Sequence, residues 1–308
     1  MRVVFMGTPS FAVTPLERLY SEGHDIACVV TQPDKPRGRG MKPGASPVKE
    51  LAIERGTPVY QPESLRDNEV YEFLRAQRCE LIVVVAYGKK LPRRILDLPP
   101  NGCINIHGSL LPKYRGAAPV QWAVLNGEKE TGVTSMFMEE EIDAGDIILS
   151  EKISIGDNET AGRMYERLGV LGADILNRTI DEITQDSVIR KPQNSDDATF
   201  APPISKDMSP IDWTKTGYAI KCKVRGLNPQ PVATMDLNGA IIKVFTVDIN
   251  SIISADKPGS IVSAGKDGIG VACADGTVII KELQAPGGKR MTAGEYLRGH
   301  MLRISGRS

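Results

Sequence analysis

The chain is poor in the residues that hold metals and disulfides. Its 308 residues include three histidines and five cysteines, and no two cysteines form a CxxC pair. An odd number of widely spaced cysteines argues against a disulfide framework, and the scattered histidines give no zinc site with the usual ligand spacing. These absences predict a protein that binds no metal and whose thiols stay reduced.

Long apolar runs and nucleotide-binding glycine motifs are missing as well. No stretch approaches the roughly 18 apolar residues that cross a bilayer, and MRVVFMGTPSF at the N-terminus lacks the features of a signal peptide. The chain contains no GxGxxG after the first strand, no GxxxxGK[ST] and no convincing nucleophile elbow. We therefore expect a cytoplasmic protein, and the missing fingerprint weakens the interpretation as an NAD-dependent oxidoreductase.

The patterns of strands and helices divide the chain into three parts. Short apolar, β-branched runs alternate with helix-period segments in the first part, which predicts an α/β, doubly wound, mostly parallel Rossmann-like sheet. The predicted strands are RVVFMG, DIACVVT, TPVYQP, LIVVVAY and CINIH. A polar linker follows, and then short strands with Asn-Gly and Asp-Gly turns predict a small OB-like β-barrel. We expect domains at residues 1–189 and 208–308, with the linker at 190–207.

Formal charge sums to zero but is unevenly distributed. Residues 206–308 carry five more basic than acidic side chains, and the rest of the chain carries five more acidic than basic ones. A basic domain joined to an acidic one suggests a polyanionic partner. The alternative is a chance asymmetry between two solvated surfaces.

The segment INIHGSLLPKYRG, residues 104–116, combines polar side chains with the end of a strand. Asn105 and His107 lie two residues apart, so both project from the same face near the carboxyl edge where open α/β sheets bind ligands. An amide and an imidazole side by side can donate hydrogen bonds to a developing oxyanion. The alternative is a buried histidine with ordinary partners and an asparagine in a turn.

An acidic segment, EEEIDAGDII, follows further along the chain. A carboxylate delivered to His107 would hold its tautomer and favour the imidazolium. Spacing alone leaves the choice open among Glu139, Glu140, Glu141, Asp143 and Asp146. An Asn, a His and an Asp without a metal or a nucleophile favour acyl-group chemistry run by hydrogen bonding and proton transfer.

The loop from Thr31 to Lys49 carries basic residues among glycines and prolines. It is long for an α/β connection, and Arg/Gly-rich loops can become ordered against RNA. The alternative is a solvated basic loop.

The segment INIHGSLLPKYRGAAPVQWAVLNGE followed by EEIDAGDII resembles the formyltransferases that use 10-formyltetrahydrofolate. The shared pattern is Asn-x-His-x-Ser-Leu-Leu-Pro with a downstream Asp-x-Gly turn. Three further segments are similar to the members of this family that formylate methionine on initiator tRNA: MRVVFMGTPSFAVTPLERL, TQPDKPRGRGMKPGASPVK and KVRGLNPQPVA. The resemblance runs through nearly the whole chain and implies an enzyme of translation initiation.

The resemblance also implies roles for individual residues. The methionine α-amino group would attack the formyl carbon of 10-formyltetrahydrofolate, a cosubstrate, without a metal. Asn105 and His107 would stabilise the oxyanion, and Asp143 would orient His107 and help to take the amine proton. The predicted folate-binding residues are Ser109, Leu110, Leu111, Pro112, Tyr87 and Gly88.

For the tRNA, the resemblance implies that the basic loop enters the acceptor stem and that the second domain holds the RNA backbone. The predicted contacts are Arg39 as the key arginine, Arg37, Lys35, Lys42, Lys206, Lys221, Lys223, Arg225, Lys289 and Arg290. We expect a monomer that binds neither DNA nor membranes. The alternatives are the same chemistry on a small-molecule amine and a noncatalytic RNA-binding protein.

Overall fold

A computed structural model describes residues 1–37, 42–251 and 256–305 of the chain. The chain forms two compact units. The first comprises Met1–Pro119, Glu130–Ser154 and Tyr165–Pro202, and the second comprises Val120–Lys129, Ile155–Met164 and Pro203–Ser308. None of the helices in the described ranges combines the length and apolarity that a membrane-spanning helix needs.

The first unit is built on a seven-stranded sheet. Its strands are, in chain order, β1 (Arg2–Gly7), β2 (Asp25–Val30), β3 (Lys35–Arg37), β4 (Lys42–Gly44), β5 (Val59–Tyr60), β6 (Leu81–Val85), β7 (Cys103–His107), β8 (Glu130–Phe137) and β9 (Ile147–Ser154). The sheet has the order β5-β2-β1-β6-β7-β8-β9, and β3 and β4 pair separately. Pairing is parallel from β5 to β7 and antiparallel from β7 to β9.

Helices lie between these strands and after β9. They are α1 (Val13–Ser21), α2 (Pro47–Glu54), α3 (Asn68–Ala76), α4 (Arg93–Leu96), α5 (Pro119–Leu125) and α6 (Ala161–Thr184). The start of α2 shows the local cause: the Ser46 side chain accepts a hydrogen bond from the Lys49 N–H, and Pro47 occupies the first turn. In α1 the apolar residues Leu16 and Leu19 face the core.

The strand order predicts a binding crevice at the carboxyl edge of the sheet. From β1 the chain moves to β2 and β5 on one side, and then returns to β6 and β7 on the other. Such a reversal opens a binding crevice beyond the strand ends. In β7, Ile104 and Ile106 are buried, and the alternation of side chains turns Asn105 and His107 to the opposite face.

The second unit is built on an antiparallel sheet. After α7 (Gly217–Gly226) it contains β10 (Ala233–Leu237), β11 (Ala240–Asn250), β12 (Ile261–Gly265), β13 (Gly268–Cys273), β14 (Gly276–Gln284), β15 (Met291–Thr292) and then α8 (Ala293–Leu297). The sheet has the order β10-β11-β14-β13-β12, and β15 pairs with β14. Asn238 and Gly239 both have positive φ, as a two-residue hairpin requires. The predicted fold class is confirmed.

We predict that Gly132→Ala destabilises the first unit. A Cβ atom at Gly132 in β8 would lie 2.2 Å from the Glu151 carbonyl oxygen of β9 and 2.5 Å from Cδ2 of Leu110. Because the backbone of the neighbouring strand β9 cannot move freely away from the added methyl group, the free energy of unfolding should fall by about 1–3 kcal/mol. Urea unfolding measures it. The control is Gly265→Ala, whose added methyl meets open space; an equal loss there would contradict this explanation.

Candidate active site

Three polar side chains converge at the carboxyl end of β7. The Nδ2 of Asn105 donates a hydrogen bond to Oδ1 of Asp143 at 3.4 Å, and Nδ1 of His107 lies 3.6 Å from Oδ2 of Asp143. The His107 side chain is 6% exposed and that of Asp143 is 13% exposed. Glu139, Glu140 and Glu141 are exposed by contrast. Among the carboxylates that the sequence left in competition, Asp143 is therefore the one that meets Asn105 and His107.

The ring of His107 is oriented by a main-chain carbonyl. Its Nε2 lies 2.9 Å from the carbonyl oxygen of Tyr114. Since a carbonyl can only accept, Nε2 carries a hydrogen, and Nδ1 is the atom that faces Asp143. The tautomer is thus set by the Tyr114 carbonyl and not, as the sequence pattern predicts, by Asp143. The carboxylate lies where it interacts with a protonated Nδ1.

The turn that carries Asp143 depends on two glycines. Asp143 has φ +53°, and its Oδ2 accepts a hydrogen bond of 2.8 Å from the Gly116 N–H. Gly116 has φ +121°, a conformation open mainly to glycine, and a Cβ there would lie 2.8 Å from the Ala201 carbonyl oxygen. At Gly145 a Cβ would lie 1.9 Å from the carbonyl oxygen of Phe137. The local geometry therefore requires glycine at two positions: at Gly145 in the Asp-Ala-Gly segment, and at Gly116 directly after Arg115.

Two further residues hold this turn, and sequence reasoning missed both. The buried Arg115 donates two hydrogen bonds to Oε1 of Gln193, and Nε2 of Gln193 donates to the carbonyls of Asp143 and Gly145. Gln193 belongs to the polar segment that the sequence assigned to a linker. No local motif distinguishes it there, because its partners lie 48 to 78 residues away.

The segment that contains Gln193 also forms hydrogen bonds with the loop after β7. The Thr199 hydroxyl accepts from the Tyr114 N–H at 2.9 Å, and the Thr199 carbonyl accepts from the Arg115 N–H at 2.8 Å. The N–H of Ala201 donates to the Arg115 carbonyl, also at 2.8 Å. Residues 199–201 therefore fix the loop that supplies both Tyr114 and Gly116 to the site.

Hydrogen bonds of two buried side chains, Thr134 and Ser109, hold the Ser-Leu-Leu-Pro turn in place. The Thr134 hydroxyl donates to the Ser109 carbonyl at 2.7 Å and accepts from the Leu111 N–H at 3.2 Å. Ser109 is fully buried, and its hydroxyl donates to the Lys113 carbonyl at 2.6 Å. Leu111 is buried as well, while Leu110 and Pro112 are partly exposed. The side chains of this turn that remain accessible to a ligand are thus mainly those of Leu110 and Pro112.

The predicted folate residues Tyr87 and Gly88 follow β6. The ring of Tyr87 is buried in the apolar core, and burial raises the pKa of its hydroxyl to about 12. Its carbonyl accepts a hydrogen bond of 2.7 Å from Nε2 of Gln32, and a Cβ at Gly88 would lie 2.7 Å from the same nitrogen. Gly88 is exposed. What this segment presents at the surface is therefore mainly backbone.

The basic loop starts as a short ribbon. Lys35 of β3 pairs with Gly44 of β4, and Arg37 pairs with Lys42. The Lys35 ammonium is exposed and donates to the Gln32 side chain at 3.0 Å. Arg39 lies outside the described residues, so its predicted tRNA contact stays a prediction.

The predicted tRNA contacts of the second unit differ in their availability. Arg225 is buried, and its guanidinium donates to the carbonyls of Gly156 and Glu159. Lys223 is partly buried, which lowers the pKa of its ammonium, and it donates to the Pro210 carbonyl. Arg290 lies over the Phe245 ring and pairs with Glu282. Lys206, Lys289 and Arg290 are exposed, and Lys221 is partly exposed.

Taken together, the described side chains offer amide, imidazole and carboxylate groups within one small volume. Asn105 has two amide hydrogens, of which one is directed to Asp143. The second hydrogen and a protonated Nδ1 of His107 can both donate to an oxyanion, while the carboxylate can accept a proton. Across residues 1–37, 42–251 and 256–305, no cluster of three or more His, Cys, Asp or Glu side chains is arranged to hold a metal ion.

Comparison with known proteins gives matches at both ends of the chain. A sequence model of the family described as formyl transferase matches residues 1–180, and one described as formyl transferase, C-terminal domain, matches residues 203–301. The methionyl-tRNA formyltransferase of Acetivibrio thermocellus is 46% identical over 306 residues, which cover 98% of this chain and 97% of that protein. That of Clostridioides difficile is 45% identical over 302 residues and covers 98% of each.

A solved structure shares the fold at much lower identity. The N-formyltransferase from Helicobacter canadensis, in complex with folinic acid and dTDP-3-aminofucose, is 18% identical with a TM-score of 0.67. The alignment covers 94% of this chain and 99% of the other. Because the family models match most of the sequence and relatives near 45% identity align almost end to end, the chain belongs to the formyl transferase family.

Proposed function

We propose that the protein transfers the formyl group of 10-formyltetrahydrofolate to the α-amino group of methionine on initiator tRNA. The convergence of Asn105, His107 and Asp143 carries this proposal, because it supplies oxyanion donors and a proton acceptor at one point. The names of the full-length relatives support methionyl-tRNA as the acceptor. A cytoplasmic location and a monomeric state remain predictions from the sequence.

In this mechanism the amine nitrogen attacks the formyl carbon, and its carbonyl oxygen becomes an oxyanion. Asn105 Nδ2 and, when the ring is doubly protonated, His107 Nδ1 donate to that oxygen, while the Tyr114 carbonyl keeps the imidazole ring in place. Asp143 accepts the proton that the amine loses, directly or through water. The oxyanion then re-forms the carbonyl of the new amide, the bond from the formyl carbon to N10 of the folate breaks, and the proton that Asp143 accepted passes to N10, directly or through water, so that tetrahydrofolate leaves.

The folate is proposed to lie along the carboxyl edge of the sheet. Leu110 and Pro112 would form an apolar wall, and the backbone around Gly88 would offer polar contacts. Ser109 and Leu111 would act by shaping the turn, since their side chains are buried. Tyr87 would contribute through its carbonyl and its neighbours.

The direct test is a formylation assay with the purified protein. Methionylated initiator tRNA and 10-formyltetrahydrofolate should give N-formylmethionyl-tRNA, whereas methionylated elongator tRNA should react much more slowly. An amino sugar nucleotide or another small amine as the preferred acceptor would support the small-molecule alternative. Binding of tRNA without any consumption of 10-formyltetrahydrofolate would support the noncatalytic one.

We predict that His107→Ala and Asp143→Ala each lower kcat for formyl transfer by roughly 100- to 1000-fold, because each removes a preorganised group at the reacting carbon. The affinity for methionylated tRNA, measured by filter binding, should stay close to that of the wild type. The matched control is Glu140→Gln, which removes an exposed carboxylate from the same segment and should leave kcat unchanged. Wild-type turnover in either alanine variant would refute these roles.

We predict that two basic residues of the second unit respond differently to substitution. Lys289→Glu should raise the Kd for tRNA about three- to tenfold at low salt and less as salt rises, since Lys289 is exposed. Arg225→Met should lower the free energy of unfolding by about 2 kcal/mol, because the carbonyls of Gly156 and Glu159 lose their donor.

Filter binding over a salt series and thermal unfolding separate the two effects. Arg225→Met should leave the Kd for tRNA near the wild-type value at temperatures where the variant is folded. A loss of tRNA affinity in Arg225→Met without a loss of stability would contradict its assignment as an internal residue.

A further inference from the structure

One side-chain amide, that of Gln193, holds the backbone of the turn that carries Asp143. Nε2 of Gln193 donates hydrogen bonds to the carbonyl oxygens of Asp143 and Gly145, each at 2.8 Å. A primary amide has two hydrogens, so both are used on this turn. Asp143 itself is in the left-handed region at φ +53°, a conformation that a non-glycine residue keeps only when its surroundings fix it.

The opposite end of the same amide is fixed by a buried cation. Oε1 of Gln193 accepts from Nε of Arg115 at 3.1 Å and from Nη2 at 2.9 Å. Arg115 is 2% exposed, and its Nη1 lies 3.5 Å from Oε1 of Glu141. Because a guanidinium can only donate, the amide oxygen must face it and the NH₂ group must face the turn. Gln193 therefore has one orientation.

Both ends of Gln193 lead to the same carboxylate. Arg115 directly precedes Gly116, whose N–H donates to Oδ2 of Asp143 at 2.8 Å. The Gln193 amide thus links the backbone of Asp143 to Arg115. The neighbour of Arg115, Gly116, donates its N–H to the Asp143 side chain. A change at Gln193 must alter the position of the carboxylate relative to Nδ1 of His107, now 3.6 Å away.

We propose that Gln193 is a positioning residue for formyl transfer, which sets the separation of Asp143 and His107 by holding the Asp143 turn against Arg115. The inference rests on the proposed function. Gln193 touches no reacting atom, and it lies between the ranges that the two family models match, residues 1–180 and 203–301.

The test compares Gln193→Glu with Gln193→Met. Glutamate keeps the length and the pairing with Arg115 but turns an oxygen towards two carbonyl oxygens, and methionine removes every hydrogen bond at similar length. In both variants kcat should fall about 10- to 100-fold, since a shift near 1 Å at the site costs that much. KM for 10-formyltetrahydrofolate and for methionylated tRNA should change less than about threefold.

The control for charge is Gln185→Glu, which adds the same negative charge at an exposed position and should retain wild-type kcat. Coupling to Asp143 is measured in a double-mutant cycle. In the Asp143→Asn protein, Gln193→Met should lower kcat much less than it does in the wild type, because the carboxylate that it positions is gone. An unchanged kcat in both Gln193 variants, or fully additive losses, would overturn the proposal.

A second measurement does not depend on activity. The chain has three histidines, so the ring-nitrogen NMR signals of His107 can be assigned against those of His24 and His300. Gln193→Met should move the His107 signals in the same direction as Asp143→Asn, while the other two histidines report an intact fold. If the wild type fails to formylate methionylated tRNA, the proposed function is lost; unmoved His107 signals separately refute the positioning role.

Discussion

A carboxylate beside a nearly buried imidazole needs hydrogen-bond donors that stay in place. Removing a charged group from water costs several kcal/mol unless donors replace the lost hydration. For Asp143 those donors are the Gly116 N–H and the Asn105 amide, with His107 adjacent. This need determines the shape of the loop after β7. The loop must bring the Tyr114 carbonyl to the His107 ring and then place Gly116 so that its N–H points at the Asp143 carboxylate.

Much of the fold could be predicted because its causes are local. The continuous apolar runs of β1, β6 and β7 identify buried parallel strands, and the spacing of Asn105 and His107 places both on one face. The third predicted strand, residues 57–62, is shorter in the structure. Only Val59 and Tyr60 pair with β2, since Pro58 and Pro62 cannot donate to a ladder.

Sequence spacing predicts the site residues that share a strand, Asn105 and His107. It does not identify the residues that reach the site from distant parts of the chain. Spacing could not choose among five carboxylates, and it gave no indication of Arg115 or Gln193. Helical phase could have corrected Arg225: it lies three residues after the buried Cys222 in α7, and its Nη2 reaches Cys222 Sγ at 3.3 Å. A count of basic residues does not distinguish such an internal arginine from the exposed Lys289.

The segment after α6 has a consequence for how this enzyme can change over evolutionary time. Residues 193–201 contact the loop after β7 and the Asp143 turn, although they come long after both in sequence. A recombination event that exchanged the C-terminal domain at the end of α6 would remove part of the scaffold of the candidate site. Domain shuffling that preserves catalysis is therefore expected to join chains beyond Ala201.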